Sequence, residues 1–155
     1  MLWTLLVSDR ISSYSKNDIF IFGSNVPHAF KSDKTSIEAS KMLSLFFTKT
    51  SFGSSFFELS EFLEMKDFFS KSLQGLVVKT NKTKIIGLFL KLKEATKLER
   101  FILFLEIIKA ISVSETAPLS NFVYTKKYSD LEGKRMRTIF EFTIENAHQI
   151  IKLED

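Results

Sequence analysis

The sequence predicts an α+β chain: short antiparallel strands come first, a helical region follows, and one further helix stands beyond a linker. Three observations carry this reading. The first third alternates short aliphatic and aromatic runs with turn-forming residues. After Gly53 the apolar residues recur at three and four positions. Between Ser112 and Tyr128 the periodicity lapses, and then it returns.

Leu2 to Val7, Ile19 to Phe22 and Met42 to Phe47 read as strands, punctuated by turns at Asn17-Asp18, Gly23-Ser24-Asn25 and Lys31-Ser32-Asp33-Lys34. Phe62, Met65, Phe69 and Leu73 then keep helical spacing and Gly75 follows at a C-capping position, which predicts a helix of about four turns. Leu76-Val77-Val78 is a short extended connection. Thr80 or Asn81 can cap a second helix that carries Ile85, Ile86, Phe89 and Leu92 on one side.

A third helix has two apolar faces. Leu98, Phe101, Ile102, Leu105 and Ile108 draw one stripe, and Phe104, Ile107 and Ile111 populate another. If the first stripe faces its own subunit, the second is left for a partner, so the helix is expected to pair two copies of the chain; which face points outward stays open at this stage. Pro118, the hydroxyl residues around it and Lys126-Lys127 give the next stretch the composition of a linker. Met136, Ile139, Phe140, Thr143, Ile144 and Ala147 restart a helix, and Leu153-Glu154-Asp155 reads as the first turn of another. The expected division is therefore 1–52, 53–114, 115–128 (linker) and 129–155.

Composition limits the function classes. With 155 residues, 45% hydrophobic and 26% charged, the chain has the balance of one globular domain or of one and a fragment. Phenylalanine occurs 17 times, yet no apolar run approaches the roughly 18 residues of a membrane span. The apolar opening lacks a basic segment and a cleavage site, so it reads as a strand and not as a signal peptide. No cysteine is present, which removes thiolate chemistry and disulfides and leads us to expect a cytoplasmic protein without membrane partners. The net charge of +4 is spread among acidic residues, and only Lys134-Arg135-Met136-Arg137 is locally basic. Arg135 and Arg137 are the candidates for contact with DNA phosphates.

The chemical inventory is thin. His28 and His148 are the only histidines, and no phosphate loop, metal-binding His-Glu-x-x-His or Gly-x-Ser-x-Gly elbow occurs. We therefore expect no enzyme, no catalytic residues and no cofactor. The string from Asn17 to His28 resembles the second motif of the cupin barrel, in which a glycine-rich turn precedes a metal-ligating histidine. Its companion His-x-His and Glu motif is absent, so His28 reads as a partly buried residue that fixes the turn after Pro27, or as part of an effector pocket, and no metal is expected.

Several stretches together resemble one family. Asn17-Asp18-Ile19-Phe20-Ile21-Phe22-Gly23-Ser24-Asn25-Val26-Pro27-His28-Ala29-Phe30 is similar to the last strands of the cupin-like sensor domain of AraC-type transcription regulators. Phe56-Phe57-Glu58-Leu59-Ser60-Glu61-Phe62 and Lys71-Ser72-Leu73-Gln74-Gly75-Leu76 resemble the start and end of the helix that follows that barrel. Lys97 to Ile111 resembles the family's dimerisation helix. Ile139 to Asn146, then Ile151 to Asp155, resembles the opening of its DNA-binding domain. Asn17 stands where the family has glycine, Ser24 where it has proline and Lys152 where it has a Ser or Thr cap.

The resemblance implies part of a cupin-like antiparallel barrel, a helical dimerisation region and the first helix of a helix-turn-helix domain. It places the first barrel strands before Met1 and both recognition helices beyond Asp155. The implied partners are a second copy of the chain, a small-molecule effector and, for the full-length parent only, specific DNA. Two other readings compete: a fragment of a small cupin-like metal-dependent enzyme, and a truncated regulator that acts by mixed dimerisation.

Overall fold

The computed structural model describes residues 3–31, 41–123 and 129–146. They form two small antiparallel sheets and four α-helices, an α+β arrangement as expected. Among the described residues neither sheet closes into a barrel. The turn at Ser32-Asp33-Lys34, the basic pair Lys126-Lys127, His148 and the start of a last helix at Leu153-Glu154-Asp155 lie outside the described residues.

The first sheet is built on β1 (Trp3–Val7), which makes a hairpin with β2 (Arg10–Tyr14) through Ser8-Asp9 and pairs on its other side with β4 (His28–Lys31). As the central strand, β1 is covered on both faces: Leu5 and Val7 bury with Val26 under Tyr14, Phe20, Phe22, Phe30 and Leu119, and Leu6 buries on the opposite side. Its edge partner β2 is mostly exposed and carries Ser12 and Ser13, the polar composition that keeps an edge strand from recruiting others.

The second sheet runs β3 (Phe20–Ile21), β5 (Leu76–Val78), β6 (Thr116–Pro118). Strand β6 corrects the expectation of a linker from residue 115. Thr116, Ala117 and Pro118 pair with β5, and beyond them the Leu119 N–H donates to the Gly75 carbonyl at 2.8 Å. Pro118 is tolerated because β6 is an edge strand and needs no donor on its outer side. Ser120, fully buried, donates through its hydroxyl to Asp9 Oδ1 at 2.8 Å and accepts from the Phe122 N–H, which fastens this stretch to the β1–β2 hairpin.

Two other expectations are corrected. Met42 to Phe47 forms no strand: Leu45 and Phe47 pack onto the helical core and Phe46 points to solvent, so the segment takes its partners from helices and not from a neighbouring strand. The expected four-turn helix is broken into 3₁₀ turns at Phe56–Glu58 and Ser60–Met65, followed by a short α1 (Phe68–Ser72). Phenylalanine is a mediocre helix former, and here the Phe56, Phe57, Phe62, Phe68 and Phe69 rings are used for mutual contact and for covering Phe101 and Phe104. Gly75, at φ +64°, ends the α1 region in the left-handed conformation expected of it. Gly23 has a different role: its N–H donates to the Ser72 carbonyl at 2.8 Å, and a Cβ there would lie 2.7 Å from Ser72 Oγ and 2.8 Å from Ser72 backbone carbon.

Helices α2 (Lys82–Lys91) and α3 (Lys97–Ser112) form a hairpin whose inner faces bury Ile85, Leu88, Ile107 and Ala110 against Val78 of the second sheet. Its open end is tied to the sheet by polar contacts: the Glu115 N–H donates to Thr80 Oγ1 at 2.9 Å and Asn81 Nδ2 to Ser114 Oγ at 3.1 Å. Beyond the second sheet, α4 (Asp130–Asn146) packs across β4 and β1.

Candidate ligand cleft and association face

Helix α3 draws its buried face from both of the stripes offered by its sequence. Phe104 (4% exposed), Ile107 (1%) and Ile108 (2%) are buried within the chain, while Leu98 is 69% exposed and Ile102 49%. Phe101, Leu105 and Ile111 sit half-buried at the border. The physical reason is the phenylalanine-rich stretch before α1, which supplies Phe47, Phe57, Phe62 and Met65 to cover Phe104 and Ile108. Phe104, Ile107 and Ile108 are thus core residues in this fold. The face left outward carries Leu98, Ile102, Glu106, Lys109 and Val113 at helical spacing, and Val113 is 63% exposed. Glu106, Lys109 and Val113 were not singled out from sequence, although they continue in steps of four, three and four from Ile102.

A cleft of about 550 Å³ opens between β4 and α4. Its sheet wall comes from Asn25 to Lys31, and its helix wall includes Met136, Arg137, Phe140 and Ile144. Ile144 is 5% exposed, and the Lys31 ammonium donates to its carbonyl at 3.2 Å. That contact places a cation at the C-terminal end of α4, where unsatisfied carbonyls carry partial negative charge.

His28 borders this cleft. Its side chain is exposed and not partly buried, yet it does fix the turn: Nδ1 lies 2.9 Å from the Val26 carbonyl, and the ring stacks on Phe22 with centroids 3.9 Å apart and planes 5° from parallel. A carbonyl can only accept, so Nδ1 carries the proton and, in the neutral ring, Nε2 is left as an acceptor. Arg137 also borders the cleft, whereas Arg135 lies elsewhere on the exposed surface of α4 with Leu131, Ile139 and Phe142. Among the described residues no three His, Cys, Asp or Glu side chains are grouped to hold a metal ion, and no helix is long and apolar enough to cross a membrane.

Two carboxylates are held in their ionised form. Burial raises the pKa of Asp18, but the Lys82 ammonium, which donates to Oδ1 at 2.7 Å, and the Ser15 N–H and hydroxyl together outweigh it and hold the carboxyl below its ordinary value. This pair ties the turn before β3 to the first residue of α2. Glu99, fully exposed, is lowered by the Thr96 N–H, which donates to Oε2 at 2.7 Å, and by the Thr96 side chain.

Comparison with protein-family models, with curated proteins and with solved structures finds no match to this chain.

Proposed function

We propose that this chain is the sensing and self-associating portion of an AraC-type transcription regulator. The sequence stretches that resemble that family support the reading, and one structural observation carries it: α3 satisfies its own core and still presents an apolar outer face with complementary charges. Two copies of α3 packed antiparallel, about a twofold axis level with Ile107 and Ile108, bring Ile102 of each copy opposite Val113 of the other. The same alignment sets Glu106 opposite Lys109 of the second copy, and symmetry repeats both contacts. The partner is accordingly a second copy of this chain. A small-molecule effector binds the sensor portion, and α4 belongs to the DNA-binding domain of the full-length parent. Specific promoter binding belongs to that parent, because Arg135 and Arg137 supply only phosphate contacts.

Sedimentation tests this. Wild type is expected to be dimeric at micromolar concentration, and Leu98→Glu with Ile102→Glu is expected to be monomeric while its circular dichroism is unchanged. Glu106→Lys alone weakens the dimer, and adding Lys109→Glu restores it. A monomeric wild type, or a charge reversal that restores nothing, overturns the reading.

A further inference from the structure

The two edges of the first sheet are finished differently: β2 is polar and faces solvent, whereas β4 borders the cleft with α4. In the β1–β4 pairing, the Ser8 N–H donates to the Pro27 carbonyl at 2.9 Å, which makes that level a hydrogen-bonded one. Antiparallel levels alternate, so at His28 and Phe30 the backbone N–H and carbonyl groups point away from β1, along the open edge of the sheet. No described residue pairs with them there. Proline and lysine commonly close such an edge, and neither does so here. The N–H that Pro27 lacks would have faced β1, and the Lys31 ammonium is taken up by the Ile144 carbonyl.

Every residue from Asn25 to Lys31 borders the cleft. Side chains alternate between the two faces of a strand, so a wall of consecutive residues is the edge of the strand itself. Ala29 and Lys31 share the face of Leu6 and Thr4, toward α4, while His28 and Phe30 turn to the opposite face with Leu5 and Val7. The other wall is one face of α4. Met136, Phe140 and Ile144 form an apolar column there, and Arg137, Glu141 and Glu145 form a charged column beside it. From Met136 to Ile144 that wall rises about 12 Å, the length of about four residues of strand. Among the described residues no ion pair takes up Glu141 or Glu145.

We propose that this cleft takes an extended peptide of another protein as a fourth strand of the first sheet. The peptide runs antiparallel to β4, carries apolar side chains at alternate positions and has a basic residue at its N-terminal end. Its residues opposite His28 and Phe30 exchange backbone hydrogen bonds with them, and those opposite Ala29 and Lys31 point toward the apolar column of α4. Its N-terminal end passes Lys31, and there the basic residue meets Glu145 at the C-terminal end of α4. A second copy of the chain fits less well, because pairing β4 with itself through His28 and Phe30 sets Ala29 against Ala29 and offers the helix wall only a methyl group. The site is separate from the outer face of α3 and does not depend on the reading of the chain as a regulator.

The probe is the peptide acetyl-Arg-Thr-Ile-Thr-Ile-Thr-amide, whose last two threonines fall opposite Phe30 and His28. Titrating it into the ¹⁵N-labelled chain is expected to give saturable shifts and slowed hydrogen exchange at the His28 and Phe30 amides. N-methylation of those two threonines removes the donors to β4 and should weaken binding about tenfold or more. Replacing the peptide's arginine by glutamate should weaken it about threefold to tenfold, and Glu145→Lys in the chain should restore that second peptide while weakening the first. Glu145 is exposed, so the variant should keep the fold. No shifts at millimolar peptide, equal binding of the N-methylated form, or indifference to Glu145→Lys each overturn the proposal. So do shifts at His28 and Phe30 that grow with protein concentration in the absence of peptide, since those assign the edge to a second copy.

Discussion

Helices α3 and α4 are nearly the same length, at 16 and 17 residues, and both begin with a hydroxyl residue followed three positions later by glutamate. Thr96 and Glu99 make the contact at α3, and at α4 the Ser129 N–H donates to Glu132 Oε2 at 2.9 Å while the Glu132 N–H donates to Ser129 Oγ at 3.3 Å. Their interiors differ. Helix α3 buries Phe104, Ile107, Ile108 and Ala110, whereas α4 buries Ile144 alone and leaves Leu131, Ile139 and Phe142 in solvent. Capping sets where each helix starts; burial decides which one the fold depends on. Helix α3 is the beam against which both helical core clusters are built, and α4 is a peripheral element attached at one end.

The largest expected effect tests that difference directly. Ile107→Ala empties a position that is 1% exposed between α2 and β5 of the second sheet, and should cost about 2–5 kcal/mol in urea unfolding. Ile139→Ala on the exposed face of α4 should stay within about 0.5 kcal/mol of wild type. Equal losses at the two positions would mean that α4 is as deeply integrated as α3, and the comparison would be broken.

How much of this was legible in the sequence follows from which interactions are local. The existence of α2, α3 and α4 could be read from their apolar spacing, because helical periodicity is written within each segment. The buried face of α3 could not be chosen, since both faces are apolar and the decision rests with Phe47, Phe57 and Met65, far upstream in the chain. Strand β6 was read as linker because Thr116-Ala117-Pro118 has no alternating pattern, and its partner β5 lies on the far side of two helices. The cleft was half visible. His28 stood out by its motif, but the opposing wall comes from α4, and nothing in the spacing of Gly133, Met136 and Phe140 announces a partner more than a hundred residues earlier.

The smallest expected effect lies at the start of α3. Glu99 is fully exposed, and its carboxyl is held below the ordinary value first by the Thr96 N–H and then by the Thr96 side chain. A carboxyl whose folded pKa is depressed binds fewer protons in the native state than in the unfolded one. Its contribution is therefore complete above the unfolded carboxylate range and is lost as pH falls through the lower, folded value. Asp18 behaves in the same sense through Lys82, so wild type should lose stability on acidification from both sites. Glu99→Gln keeps an acceptor for the Thr96 N–H and removes the titration, which should flatten part of that acid dependence and leave stability near neutral pH almost unchanged. Urea midpoints measured between neutral pH and the acid side of the carboxylate range check this. An acid profile identical to wild type would show that the Thr96–Glu99 contact does not distinguish folded from unfolded chains. Helix α3 would then owe its position entirely to the burial that α4 lacks.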